Sequence, residues 1–203
     1  MNILRKVQLC VVGDLAPMPR RPKNRDVRSR EYLTPSEVEE LANAAKRRGR
    51  YGGRDAFAIR FAARHGLRVS ELCEFRWDQV DLKLGRVHVN RNKSGVLSIH
   101  PLKGDEIRAL RQLRRDWPDG PYLFVNERGS PITPSGFSKM LSAAGAKAGL
   151  GFPVHPHMLR HACGYYFANQ GKDTRSLQDW LGHKSIQHTV RYTQLSAERF
   201  RDW

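Results

Sequence analysis

Cysteine is scarce in this chain. Cys10, Cys73 and Cys163 are the only three among 203 residues, widely scattered and with no Cys-x-x-Cys pair. That pattern excludes a disulfide framework and fits a reducing cytosol. Cys73 and Cys163 lie among apolar neighbours at helical spacing, so both read as inert packing. Long apolar runs are missing as well. No stretch approaches the roughly 18 to 20 residues needed to span a bilayer, and the short apolar segment at 7–12 is interrupted too early for a signal peptide. No membrane partner is expected, and a cytoplasmic protein is. The chain also lacks internal repeats and low-complexity tracts. Acidic residues are few beside their opposites: 20 Asp and Glu stand against 36 Lys and Arg, for a formal net charge of +16.

The excess is of a particular kind, since 26 of the 36 basic residues are Arg and 10 are Lys. A guanidinium presents a planar fork that matches phosphate oxygens in pairs, whereas an ammonium is a point charge. The expected partner is therefore a polyanion, with nucleic acid the commonest. Residues 1–30 carry eight basic and two acidic side chains and include Pro17, Pro19 and Pro22. They read as a flexible basic arm, or as a solvated tail without a role, ahead of one domain at 31–203.

The ordered domain begins with Leu33-Thr34-Pro35-Ser36-Glu37. This is a capping box with proline at the first helical position and Leu33 and Val38 as a staple. Helices are expected at 35–46, 55–65 with Gly66 as its left-handed stop, and 70–75. The period then changes to two at 86–90 and 96–100, flanking the turn-forming Asn92-Lys93-Ser94-Gly95, which predicts an antiparallel hairpin. Further helices are expected at 103–117, 133–148, 156–170, 173–181 and 185–192, with a third short strand at 122–125. The fold class is mainly α with a small antiparallel β-sheet.

Chemistry concentrates at the C-terminal end. His157 and Arg160 stand three apart on a helix and share a face, so they can grip one anion. Leu181-Gly182-His183 follows, and Tyr192 comes nine residues after His183. Two imidazoles, a guanidinium and a phenol suit attack on a phosphodiester. Arg68, in Gly66-Leu67-Arg68-Val69-Ser70-Glu71-Leu72, offers a second fork, or a surface ion pair with Glu71. His157 can either hydrogen-bond the phosphate or take the tyrosine proton. Tyr165 and Tyr166, within an apolar helix, read as core. The i, i+4 pair His157 and His161 has metal-ligand spacing, but Met158 replaces the glutamate of the zinc-protease pattern and no second ligand cluster completes a site. No cofactor or metal is expected.

These motifs, in this order over about residues 33–200, resemble the tyrosine recombinase (lambda integrase) family. His155-Pro156-His157-Met158-Leu159-Arg160-His161, His188-Thr189-Val190-Arg191-Tyr192-Thr193 and His100-Pro101-Leu102 are most similar to the small bacterial fimbrial-switch invertases. The resemblance implies a tyrosine recombinase/type IB topoisomerase-like catalytic domain. It also implies a catalytic set of Arg68, Lys93, His157, Arg160, His183 and Tyr192. Tyr192 would be the nucleophile forming a 3′-phosphotyrosyl link. Arg68, Arg160 and His183 would hold the phosphate, and the hairpin Lys93 would be the general acid, with Lys83 and Lys103 as alternatives. It implies recombination by a homotetramer on two double-stranded DNA sites, helped by accessory DNA-bending proteins, with neither ATP nor metal. A topoisomerase-like relaxing enzyme and a catalytically silent DNA-binding regulator are the competing functions.

Overall fold

A computed structural model of the chain describes residues 30–91 and 97–194. Helix α1 (Pro35–Lys46) starts at the expected box: Thr34 Oγ1 accepts from the Glu37 amide at 3.3 Å, and the Glu37 carboxylate accepts from the Thr34 amide at 2.7 Å. Such a cap is worth about 1 kcal/mol. Leu33 and Val38 are both buried. Helix α2 (Gly52–His65) begins three residues before the expected start. The corner between α1 and α2 is tight enough that a Cβ on Gly52 would lie 2.1 Å from the Lys46 carbonyl oxygen. Helix α2 ends at Gly66, at φ 60°, and releases the chain into the short α3 (Val69–Cys73).

A three-residue 3-10 turn (Trp77–Gln79) leads to strand β1 (Val80–Asp81), a two-residue strand with no period-two signal in the sequence. It pairs antiparallel with β2 (Arg86–Asn90), and β2 pairs antiparallel with β3 (Leu97–Pro101), giving the order β1-β2-β3. The register sets Val87 opposite His100 and His88 opposite Ile99. Val87, Val89 and His100 face inward, while Leu97 and Ile99 stay exposed, so β3 turns its polar side to the protein. The tip with Lys93 lies outside the described residues, as do 1–29.

Helix α4 (Gly104–Asp116) runs back beside α2, and α5 (Pro134–Ala148), capped by Thr133, follows. Between them, residues 122–125 do not form the expected strand. They make only isolated bridges, Arg76 with Tyr122 and Val125 with Pro131, because Pro121 and the turn at 126–130 leave no room for a ladder. Leu123, Phe124 and Val125 are nonetheless buried. Helices α6 (Pro156–Asn169), α7 (Thr174–Leu181) and α8 (Gln187–Gln194) complete the described chain. Asp173 caps α7 and Gly182, at φ 63°, ends it.

The main core gathers Leu41, Ile59, Phe61, Phe75, Phe124, Leu110, Leu141 and Leu159. Its aromatic centre is an edge-on contact of Phe61 and Phe75 at 5.2 Å. A second, smaller cluster contains Cys163, Ala168, Leu177, Leu181 and Tyr192. Burial pushes the thiols of Cys73 and Cys163 up to about 12, which suits inert packing. Tyr166 is a correction to the core reading, being 41% exposed, and Tyr165 is only partly buried. Among the described residues no helix is long and apolar enough to cross a membrane.

Candidate active site

The left-handed turn at Gly66 places Arg68 at the start of α3, where its own amide donates to Glu71 Oε2 at 2.9 Å. Arg68 Nη1 donates to Glu71 Oε1 at 2.6 Å. The Glu71 side chain is enclosed while that of Arg68 keeps about a quarter of its surface open, at 1% and 23% exposure. This is therefore no ordinary surface pair. A buried carboxylate orients a guanidinium whose outer edge remains free. Glu71 stays ionised against its burial because Arg91, the Arg68 amide and the Arg68 guanidinium lower its pKa.

Arg160, from the second turn of α6, reaches across to the same loop. Nη1 donates to the Gly66 carbonyl at 2.5 Å and Nη2 to the Leu181 carbonyl at 2.6 Å. It thereby ties the Arg68 turn to the end of α7. Burial, then repulsion from Arg68 and Arg91, pushes its pKa down to about 10. The group remains charged at neutral pH.

His183 leaves the Gly182 turn with its Nδ1 2.8 Å from the buried Thr189 Oγ1. If the hydroxyl donates to Nδ1, the ring proton sits on Nε2, where it can be given to an anion. Partial burial, then Arg160 and Arg68, hold His183 down at about 3, so it is neutral without an anion present. His157 stands on the exposed first turn of α6, its ring edge-on to His161 at 4.4 Å. Loss of water around part of the ring, then Arg160, push it down to about 4, although its outer side is open to solvent.

Tyr192 is 2% exposed. Its ring lies on Gly164, where a Cβ would come within 2.7 Å of Cε1 and Cζ, and it meets Tyr165 edge-on at 5.1 Å. The ring plane is within 11° of parallel to His183, with centroids 6.2 Å apart. The phenol oxygen is 2.8 Å from His161 Nδ1. So the imidazole that reaches the phenol is His161 rather than His157. Burial pushes Tyr192 up to about 12 and His161 down to about 3, which leaves both neutral at rest.

The structure thus brings Arg68, His157, Arg160, His183 and Tyr192 into one cluster, with Arg160 and Tyr192 buried at 1% and 2% exposure; Lys93 lies outside the described residues. Three participants are absent from the sequence-level set. His161 carried a signal there only as the i+4 partner of His157, because its contact with Tyr192 spans 31 residues. Thr189 has no local signature. Arg91 looked like one more arginine in a basic chain, yet its side chain is fully enclosed against Glu71.

The site therefore combines a phenol, the guanidiniums of Arg68 and Arg160, and imidazoles, on a helical domain with a three-stranded sheet. That combination defines the catalytic domain of a tyrosine recombinase. The chain belongs to the phage integrase family, whose model matches residues 31–199. It is similar to the type 1 fimbriae regulatory protein FimB of Escherichia coli strain K12, at 40% identity over 180 residues, covering 86% of this chain and 90% of that protein. It is also similar in structure to XerA recombinase, with a TM-score of 0.72 at 30% identity, over 84% of this chain and 62% of that one. A lambda integrase dimer bound to a COC′ core site matches with a TM-score of 0.66 at 26% identity, over 85% of this chain and 49% of that one. The chain thus spans under two thirds of the length of these two solved structures.

Proposed function

We propose that the protein is a site-specific DNA recombinase that cleaves and rejoins strands through Tyr192. The observation that carries this is the phenol held 2.8 Å from an unprotonated imidazole, beside the guanidiniums of Arg160 and Arg68. A phosphodiester docked at this cluster would meet the outer edge of Arg68 and Nε2–H of His183, with the charge of Arg160, 1% exposed and held by two carbonyls, behind them. Charge that develops on the non-bridging oxygens is stabilised by such fixed donors without a metal ion.

The phenol proton passes to His161 Nδ1 as the phenol oxygen bonds to phosphorus. Transfer is concerted with attack, because burial holds the phenol up and the imidazole down, so that a phenolate formed ahead of attack is disfavoured. The phosphorus–O5′ bond breaks, and Lys93 donates a proton to the departing oxygen. A 3′-phosphotyrosyl link and a 5′ hydroxyl result. The 5′ hydroxyl of a partner strand attacks that link, and the proton returns to Tyr192. The bond energy is kept, so no ATP or cofactor takes part. His157, at the exposed edge, contributes a phosphate hydrogen bond.

The resemblance of its motifs to the fimbrial-switch invertases favours inversion of a DNA segment, and the reading includes four protomers on two sites with accessory DNA-bending proteins. The +6 charge of residues 1–30 suits added phosphate contacts. A cytoplasmic protein acting at the nucleoid fits these roles. The test is a supercoiled plasmid carrying DNA from both genomic flanks of the gene. Inversion of the intervening segment without ATP or magnesium is expected. Relaxation with no inverted product would replace this function by that of a topoisomerase.

A further inference from the structure

Arg91 follows strand β2, and its side chain has no solvent exposure at all. It cannot touch DNA in this arrangement. Nη1 donates to Glu71 Oε2 at 2.8 Å, and Nη2 donates to the His65 carbonyl at 3.1 Å and to the Trp180 carbonyl. Nε is buried without a hydrogen-bond partner. The aliphatic stem passes under Gly182, where a Cβ would lie 2.5 Å from Cγ. A buried charge is costly, and a brace between two backbone segments does not require one. Arg160 already joins the same two segments. The charge of Arg91 therefore calls for a different explanation.

That explanation lies in how Glu71 is shared. One carboxylate oxygen holds the Arg68 guanidinium at 2.6 Å and the other holds Arg91 at 2.8 Å. With only Arg68 as a partner, Glu71 would neutralise the very fork that stays partly exposed, at 23%. Three guanidiniums against one carboxylate leave two positive charges in excess instead. We propose that Arg91 is a positioning residue that offsets the charge of Glu71, so that Arg68 is held in place by a carboxylate yet remains cationic toward the scissile phosphate. Arg160 is lowered first by burial and then by repulsion from Arg68 and Arg91, which is consistent with this surplus of guanidinium charge. The inference rests on Arg68 as a phosphate ligand.

Charge compensation tests it. Removing Arg91 leaves one excess charge; removing Arg91 and Glu71 together restores two. The measurement is the single-turnover rate of covalent adduct formation, at saturating concentrations of a nicked duplex that the unaltered protein traps, with folding followed by circular dichroism. Arg91→Met should slow the adduct by on the order of 10²-fold, as when a transition-state donor is lost. Arg91→Lys, which keeps the charge but not the fork, should stay within about tenfold of the native rate. Arg91→Met with Glu71→Gln should regain about tenfold or more over Arg91→Met alone. A double variant no faster than the single one, or Arg91→Lys as slow as Arg91→Met, makes Arg91 a structural brace only and overturns the proposal. If Arg91→Met does not fold, the double variant and Arg91→Lys carry the test, and folded but inactive proteins overturn it. Arg68→Ala is the control. Native-rate cleavage by Arg68→Ala refutes the phosphate role of Arg68 itself, whereas an inactive Arg68→Ala beside an unrescued double variant refutes only the role of Arg91.

Discussion

Gly182→Ala should destabilise the protein more than Gly149→Ala, although both glycines end a helix in the same left-handed conformation. Their φ angles are 63° and 74°. Each alanine therefore meets the same backbone penalty of roughly 1–2 kcal/mol. The surroundings differ. A Cβ at Gly149 would meet nothing within 4 Å, whereas one at Gly182 would lie 2.5, 2.8 and 3.0 Å from Cγ, Cδ and Nε of Arg91. Arg91 cannot retreat, because its guanidinium is held by Glu71 and by backbone carbonyls. Overpacking of this kind adds about 1–3 kcal/mol. Gly182→Ala should thus lose roughly 2–5 kcal/mol, a Tm drop of about 4–20 °C for a chain of this size. Gly149→Ala should show only the smaller part. Urea and thermal denaturation of both variants give the difference directly. Equal losses would mean that Arg91 is not wedged beneath the turn, and would remove the geometric link between Arg91 and His183.

Acid should weaken the fold in a defined window. His100, His161 and His183 are pushed down to about 2, 3 and 3, chiefly by burial, and His65 is lowered for the same reason. Unfolded, each would take up a proton near pH 6.5 that the native state refuses, so stability is full above that pH and is lost as pH falls. The unfolding free energy should drop by at least about 3 kcal/mol between pH 7 and pH 5, and equal or greater stability at pH 5 would contradict the buried neutral rings. Lys93→Ala should abolish cleavage of ordinary DNA but cleave a 5′-bridging phosphorothiolate, whose leaving group needs no proton. Failure on both substrates moves Lys93 out of the general-acid role. DNA affinity should fall steeply between about 50 and 200 mM salt as counterions are no longer released to advantage, and a flat salt profile would exclude a phosphate-dominated interface.

The helical frame was legible because its signals are local. Thr34 through Glu37, Gly66, Thr133, Asp173 and Gly182 mark helix ends within a few residues, and each acts as its residue type dictates. What escaped depends on distant partners. Strand β1 exists because Val80 finds Val87, and residues 122–125 fail as a strand because they find only single bridge partners. The inward side of β3 also ran against simple hydrophobic alternation. His100 is buried because it stacks on Trp180 at 3.7 Å and hydrogen-bonds His65 at 3.1 Å, while Ile99 is left outside. In the site, the spacing of His157, Arg160, His183 and Tyr192 was readable from the motif order. The neighbour of the phenol was not. His161 comes to Tyr192 only because α6 and α8 pack together, which no sequence window of helical length contains.

The most direct measurement is to trap the protein on a nicked duplex from its own genomic flanks and map the attachment site by mass spectrometry. A nucleophilic Tyr192 predicts one DNA-linked peptide, carrying a 3′-phosphate on Tyr192, and none from Tyr192→Phe, which still binds the duplex. A DNA-linked peptide that persists in Tyr192→Phe, or one that maps to Tyr165 or Tyr166, would contradict it.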